Sequence, residues 1–339
     1  MSKAPPKISQ ARLAAMLGVS QMTVSKALRG HTDISPRTRE NVRRAAERLR
    51  YQPNGLARSL VDGHTHTIGL LLPRFRGHYY SRVLETLEDQ IRQRGYTPLL
   101  TKGTFDDGAN EQALQQLQQF RVAGYIIVPL APDWNTPYFE QLVHAGERIV
   151  FLGPHESAAV PSTYNLDHEG AHAAVTHLHQ LGHQHIACLQ HPDPHAFFER
   201  PRVAGYRAAM RAADLAPRLI QPADVGDLQA ACVRHLQSHP DTTAIFCCAD
   251  AEALKAIRAA EQVGRRVPED LSVIGFGDNL PYPDEMRVPL TTVAHDPQRI
   301  ARTAVELLFS RLAGDTAVQH VPIENHLVHR ASVGPCRST

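Results

Sequence analysis

Two stretches of the chain carry residue types at a spacing that could do chemistry. The run His168-Glu169-Gly170-Ala171-His172 sets two imidazoles four residues apart around a glutamate. On a helix this puts both rings on one face, where a zinc-dependent hydrolase holds its metal and uses the glutamate as base. The pattern fixes only three positions in a chain with 20 histidines, and no acidic residue downstream stands out as a third ligand. The second stretch is Ser20-Gln21-Met22-Thr23-Val24-Ser25-Lys26. If Ser20 caps a helix, its first turns present Gln21 for bidentate pairing with adenine, Met22 for a thymine methyl, and Thr23, Ser25 and Lys26 for base edges or phosphates.

Charge distribution separates the two readings. The 339 residues carry 36 Lys/Arg against 34 Asp/Glu, a formal net of +2. Residues 1–60 alone contain twelve Lys/Arg and three Asp/Glu, a net of +9, which leaves 24 basic and 31 acidic residues beyond them, a net of −7. A basic head on an acidic body implies different partners for the two parts, with nucleic acid at the head.

Helical signals organise that head. Ser9 is placed to cap a first helix with Ala11, Leu13, Ala14 and Leu17 at helical spacing and Gly18 to end it. Gln21 to Leu28 forms a second, with Val24 and Leu28 turned inward and Gly30 where it stops; Ser35-Pro36 opens a third that carries Val42, Ala45, Ala46 and Leu49 to about Arg50. Three short helices around a tight turn make a helix-turn-helix unit whose second helix enters the major groove.

The run Ala14-Ala15-Met16-Leu17-Gly18-Val19-Ser20-Gln21-Met22-Thr23-Val24-Ser25-Lys26-Ala27-Leu28, followed by Ser35-Pro36-Arg37-Thr38-Arg39 and by Tyr51-Gln52-Pro53-Asn54, resembles the headpiece of the LacI/GalR family of transcriptional repressors. The similarity extends over essentially the whole chain. It implies a small all-α headpiece at 1–51 and a hinge helix and linker at 52–66. An α/β, two-lobed, periplasmic-binding-protein-like body with parallel sheets is implied for 67–335. In the family the hinge helix folds on operator DNA and pairs with its partner's in the minor groove; Asn54, Ala57 and Leu60 would face that groove, Leu60 wedging between base pairs. Gly55, where relatives often carry a bulkier residue, would loosen that helix.

The body reads independently as alternating strands and helices. Ile68 to Pro73, Pro98 to Thr101, Tyr125 to Pro129 and Ile149 to Gly153 are strands, and helices run Tyr79 to Arg94 and Asn110 to Phe120. A second such set begins with a helix at Gly170 and ends with a strand at Leu271 to Phe276. The resemblance implies three crossings between lobes, near residues 161, 291 and 322, giving lobe one about 67–161 and 292–321 and lobe two about 162–291 and 322–335. Ligands in such folds sit at the carboxyl ends of the strands, between lobes that close by hinge motion. The resemblance places an aromatic residue there, Tyr79 or Tyr80 beside Ser81, and matches Arg202 to the family's ligand-binding arginine. Asp167 or Glu169 would oppose them, Asp278 would cap a turn or substitute for a missing acidic contact, and Ala249 replaces the usual asparagine. Arg74, Arg76 and Lys102 would favour a sugar acid or phosphate over a neutral sugar.

The expected function is a homodimeric repressor that reads a near-palindromic double-stranded operator and responds to a small carbohydrate-type effector, a sugar or sugar acid. No cofactor is implied: no GxGxxG follows the first strand and no GxxxxGK[ST] occurs, so a phosphate cradle for a nucleotide is missing. The five cysteines show no CxxC spacing, no apolar run reaches a membrane span, and the start of the chain lacks an apolar signal region, so a reduced cytoplasmic setting without membrane contact is expected. A C-terminal coiled-coil tetramer is not expected, for want of leucine heptads.

Overall fold

A computed structural model describes residues 9–28, 30–49, 51, 65–73, 78–103, 107–129, 134–192 and 199–336. The chain divides into two compact units, Met1–Thr65 and His66–Thr339. The hinge residues Asn54, Ala57 and Leu60, and the cations Arg74 and Arg76, lie outside the described residues.

In the first unit the caps do what the sequence predicts. Helix α1 spans Gln10–Leu17, with Arg12 N–H donating to Ser9 Oγ, and Gly18 closes it at φ 65° in the left-handed region. Helix α2 spans Gln21–Leu28, and the Thr23 N–H donates to Ser20 Oγ at 3.0 Å. Helix α3 spans Pro36–Arg48, capped by Ser35 with proline in its first turn. Leu13, Ala14, Val24, Ala27, Val42, Ala45 and Ala46 form the buried core, drawn from one stripe of each helix.

The second unit contains two sheets. In chain order the first lobe begins β1 (Thr67–Leu72), α4 (His78–Gln93), β2 (Thr97–Lys102), α5 (Asp107–Gln119), β3 (Gly124–Ile127), α6 (Thr136–His144), β4 (Ile149–Leu152) and β5 (Ser162–Asn165). Then follow α7 (Asp167–Gln180), β6 (Ile186–Leu189), α8 (Arg200–Ala212), β7 (Arg218–Ile220), α9 (Leu228–Ser238), β8 (Ala244–Cys247), α10 (Asp250–Gln262), β9 (Ser272–Gly277) and β10 (Thr291–Ala294). Finally come α11 (Pro297–Leu312), β11 (His320–Ile323) and β12 (His326–Val328). Among the described residues one sheet runs β11-β5-β4-β3-β1-β2, all parallel, and the other β12-β10-β9-β8-β6-β7, antiparallel only where β12 meets β10.

Central strands β1, β3, β4, β6 and β8 are apolar because helices cover both their faces. On the first lobe, Val83, Leu87 and Ile91 of α4 and Ile300, Ala304 and Leu308 of α11 recur every four residues and pack one face. Leu114, Leu117 and Phe139 cover the other. On the second lobe α7 and α8 pack one face, α9 and α10 the other. Gly205 lets α8 approach α7: a Cβ there would stand 2.2 Å from the His168 carbonyl oxygen.

The lobe boundaries differ from expectation. Strands β5 and β11 both belong to the first sheet, where Ser162 pairs with Phe151 and His320 with Ser162, while β10 belongs to the second, paired with β9. The crossings therefore fall between 165 and 167, between 294 and 297, and between 323 and 326, later than residues 161, 291 and 322. The cause is physical: β5 (STYN) and β11 (HVPI) lie at or next to an edge and carry polar residues, so hydropathy does not reveal which sheet completes their hydrogen bonds. Strand β5, helix α6 and the three-residue strand β7 are additions that sequence periodicity did not predict.

Candidate nucleic-acid interface and ligand cleft

In the first unit, α2 turns Val24 and Ala27 into the core and packs Leu28 against it, so Gln21, Met22, Thr23, Ser25 and Lys26 form the outer face. Gln21 is exposed and Met22 is 66% exposed, whereas Thr23, Ser25 and Lys26 are half-buried. Ser20 works at the helix start, its hydroxyl 2.9 Å from Thr23 Oγ1. An apolar side chain as exposed as Met22 at the start of a helix, beside Gln21, is a surface that gains from contact with a base edge.

In the second unit the crossings converge on one carboxylate. Asp167 opens α7 directly after the first crossing; His295 lies on the second and Asn325 on the third. Arg202, in the first turn of α8, sends Nε and Nη2 to Asp167 Oδ2, both at 2.8 Å, and Nη1 to the Cys248 carbonyl at 2.7 Å. Its guanidinium lies 4.3 Å over the Phe276 ring. His295 Nε2 donates to Asp167 Oδ1 at 3.0 Å, and Asn325 Nδ2 donates to the same oxygen at 3.1 Å. Burial alone would push the Asp167 carboxyl up, but Arg202 and His295 outweigh it and hold the group well below the usual carboxylate range.

The first lobe meets this knot through Tyr79. Its hydroxyl accepts Asn165 Nδ2–H at 2.9 Å, its ring meets Tyr80 edge-on at 5.0 Å, and it meets His295 at 5.1 Å. Burial raises both phenols, Tyr80 to about 12, so both stay protonated as hydrogen-bonding groups. The structure thus brings Tyr79, Asp167 and Arg202 into one cluster through His295, with Tyr80 against Tyr79 and Ser81 next on the same helix.

Other expected contacts are placed differently. Asp278, at φ 52°, is paired with Arg330 at 2.8 Å, and that arginine also donates to the Leu290 carbonyl. Asp278 therefore braces the last segment of lobe two. Lys102 is exposed at the end of edge strand β2. Sequence reasoning missed His295, Asn165 and Asn325; each stands at or just past a strand end beside a crossing, which becomes a signal only once the sheets are assigned.

The zinc pattern falls on α7. His168 Nδ1 lies 3.8 Å from Glu169 Oε1, and His172 Nδ1 lies 3.5 Å from Thr176 Oγ1. No group of three ligating side chains assembles among the described residues.

Residues 11–54 match the family model for bacterial regulatory proteins of the lacI family, and residues 175–333 match that for a periplasmic binding protein-like domain. Over 311 residues the chain is 31% identical to the HTH-type transcriptional repressor PurR of Vibrio campbellii, covering 88% of this chain and 90% of the relative. The chain belongs to the lacI family of bacterial regulatory proteins. It is a DNA-binding transcriptional regulator with a helix-turn-helix headpiece and a two-lobed body. This lacI-family chain is also 31% identical over 337 residues to the HTH-type transcriptional regulator CelR of Thermobifida fusca, covering 94% of this chain and 96% of the relative. Among solved structures it is similar to the Lac repressor dimer bound to operator and the anti-inducer ONPF, with TM-score 0.84 and 25% identity over 97% of this chain and 100% of that one. A CelR–cellobiose complex matches with TM-score 0.68 and 27% identity over 96% of this chain and 99% of that one. No helix among the described residues is long and apolar enough to cross a membrane.

Proposed function

We propose that this regulator is a repressor that binds a near-palindromic operator as a homodimer and is controlled by a sugar or sugar acid held between its lobes. The carrying observation is the knot of Asp167, Arg202, His295 and Asn325, in which polar groups from all three crossings meet beside the aromatic pair Tyr79 and Tyr80. A ligand with vicinal hydroxyls offers ring C–H surface to the aromatics and hydroxyls to the arginine fork, so it engages both lobes at the point where they hinge. Similarity to the operator-bound Lac repressor dimer and to the cellobiose complex of CelR supports the same reading. Gln21, Met22, Thr23, Ser25 and Lys26 read the major groove, with Ser20 fixing the start of their helix. Asn54, Ala57 and Leu60 act in the minor groove. Tyr79, Tyr80, Ser81, Asp167 and Arg202 line the effector site; Lys102 would attract the carboxylate of a sugar acid, and Asp278 serves it indirectly through Arg330. Helix α4 is the candidate dimer contact on the first lobe. A partner that is chromosomal DNA places the protein in the cytoplasm.

An effector that prefers the lobe arrangement incompatible with paired hinge helices acts as inducer, and the opposite preference gives corepression. The test is selection of binding sites from a random duplex pool by the full chain near physiological salt, where non-specific phosphate binding is suppressed. Enrichment of an inverted repeat supports the dimeric reader. Loss of binding to that repeat, or gain, on adding sugars and sugar acids one at a time identifies the effector. Enrichment of a single half-site would overturn the homodimer.

A further inference from the structure

The headpiece holds three acidic side chains, Asp33, Glu40 and Glu47. Glu40 is held by Arg43 at 3.0 Å and Arg44 at 2.7 Å, and Glu47 faces Arg43 at 3.9 Å. Those contacts stay within α3. Asp33 instead lies in the turn before α3 and takes Lys26 Nζ at 2.5 Å. Lys26 is the basic residue of α2, whose sequence is QMTVSKAL, and it follows Met22 by one helical turn on the same side. The hydrogen bond from Lys26 holds the Asp33 carboxyl below its ordinary range, so the acid stays charged at neutral pH.

We propose that Asp33 is a positioning residue for DNA discrimination: it holds Lys26 in reserve, and the ammonium reaches a DNA acceptor only where docking lets that acceptor take the place of the Asp33 carboxylate. The inference rests on α2 being the reading helix. A headpiece with a net +9 is drawn to any duplex. Each phosphate neutralised adds about 0.9 to the slope of log affinity against log salt, so withholding one cation weakens every non-specific complex by one contact. A specific complex, with α2 seated in the groove, regains that contact. The exchange is finely balanced because the pair is wet: the side chains of Lys26 and Asp33 are 36% and 53% exposed, and exposed pairs hold weakly. Asp33 therefore costs the operator complex little and costs random binding more.

The test uses the full chain, a random-sequence duplex and the repeat recovered by selection, with dissociation constants measured across a salt series for the parent, Asp33→Asn, Lys26→Met and the double variant. Asp33→Asn is expected to tighten random-duplex binding about two- to fivefold and to steepen its salt slope by about 0.9, with a smaller gain on the repeat. In the Lys26→Met background the same change is expected to do nothing. An equal gain in that background would show that Asp33 merely repels phosphates and would overturn the proposal, as would an Asp33→Asn slope equal to the parent's. Asp33→Ser, run in parallel, reads the same quantities if the amide perturbs the turn. A parent protein that binds neither duplex in a salt-dependent way overturns the DNA-reading assignment itself, and this inference with it; parental binding with unaltered variants overturns only the inference.

Discussion

Oδ2 of Asp167 receives Nε and Nη2 of Arg202, both at 2.8 Å, and the two residues stand 35 positions apart at the start of adjacent helices α7 and α8. His295 and Asn325 occupy the other oxygen, so each of the three lobe crossings contributes to one buried charge. A ligand that changed the angle between the lobes would have to reorganise this knot, which is why the proposed effector site is placed on it.

Removing one partner leaves a buried charge uncompensated. Arg202→Ala is expected to lower body stability by about 3–5 kcal/mol, whereas Asp167→Leu combined with Arg202→Met recovers most of it. Urea unfolding of the three proteins checks this. At temperatures where Arg202→Ala remains folded, operator binding persists and the response to effector is lost; a retained response would take Arg202 out of the effector site.

Acid should weaken the body in two stages. Burial pushes the His235 imidazole down to about 4, so the unfolded chain, titrating near about 6.5, binds its proton first and stability falls as pH drops through that window. One proton gives a slope of at most about 1.4 kcal/mol per pH unit; His177 and His183, whose imidazoles burial also lowers, add to it, so His235→Gln should reduce the slope without abolishing it. Asp167 has the opposite character, a carboxylate held below its unfolded value near about 3.9, so its contribution is intact above that pH and is lost below it. Asp250, Glu252 and Glu147, whose carboxyls burial raises, work against this loss, Glu252 within the first window as well. Denaturation midpoints from pH 7 to pH 3 for the parent and His235→Gln decide it.

Gly205→Ala should be severe, at about 3 kcal/mol or more, because its Cβ would meet the His168 carbonyl at 2.2 Å and backbone cannot yield as a side chain can. Thermal unfolding measures the cost; a loss under about 1 kcal/mol would mean that α7 and α8 slide freely.

Gln21→Ala should relax preference at one operator position by about 1–3 kcal/mol without altering the salt slope. If Leu60 is the proposed minor-groove wedge, Leu60→Ala should instead weaken the selected repeat far more than random duplex, since such a wedge would act only on a bent, specific site. Titrations of both variants against both duplexes separate the two roles, and equal losses for Leu60→Ala would defeat the hinge assignment.

Much of this was legible locally. Ser9, Ser20 and Ser35-Pro36 bound the starts of their helices because an N-cap needs only the reach of one side chain to nearby backbone, and Gly18 ends α1 because glycine adopts the left-handed backbone at no steric cost. The helix expected from Tyr79 to Arg94 is the one observed, and its buried stripe Val83, Leu87, Ile91 repeats with the helical turn. Strand β7 (RLI) offered no such signal, having three residues and partial exposure.

The sequence by itself determined most of the elements and the charge divide at residue 60, since propensity, capping and charge are properties of short stretches. Only the tertiary structure decided that Ser162–Asn165 and His320–Ile323 complete the first sheet. It likewise decided that Asp278 belongs to Arg330, and that His295 and Asn325 join Asp167 across 128 and 158 residues. The reason is common to all three. A strand edge or a buried carboxylate is satisfied by whichever donor the packed chain brings within about 3 Å, and that choice depends on sheet order, which no local pattern encodes.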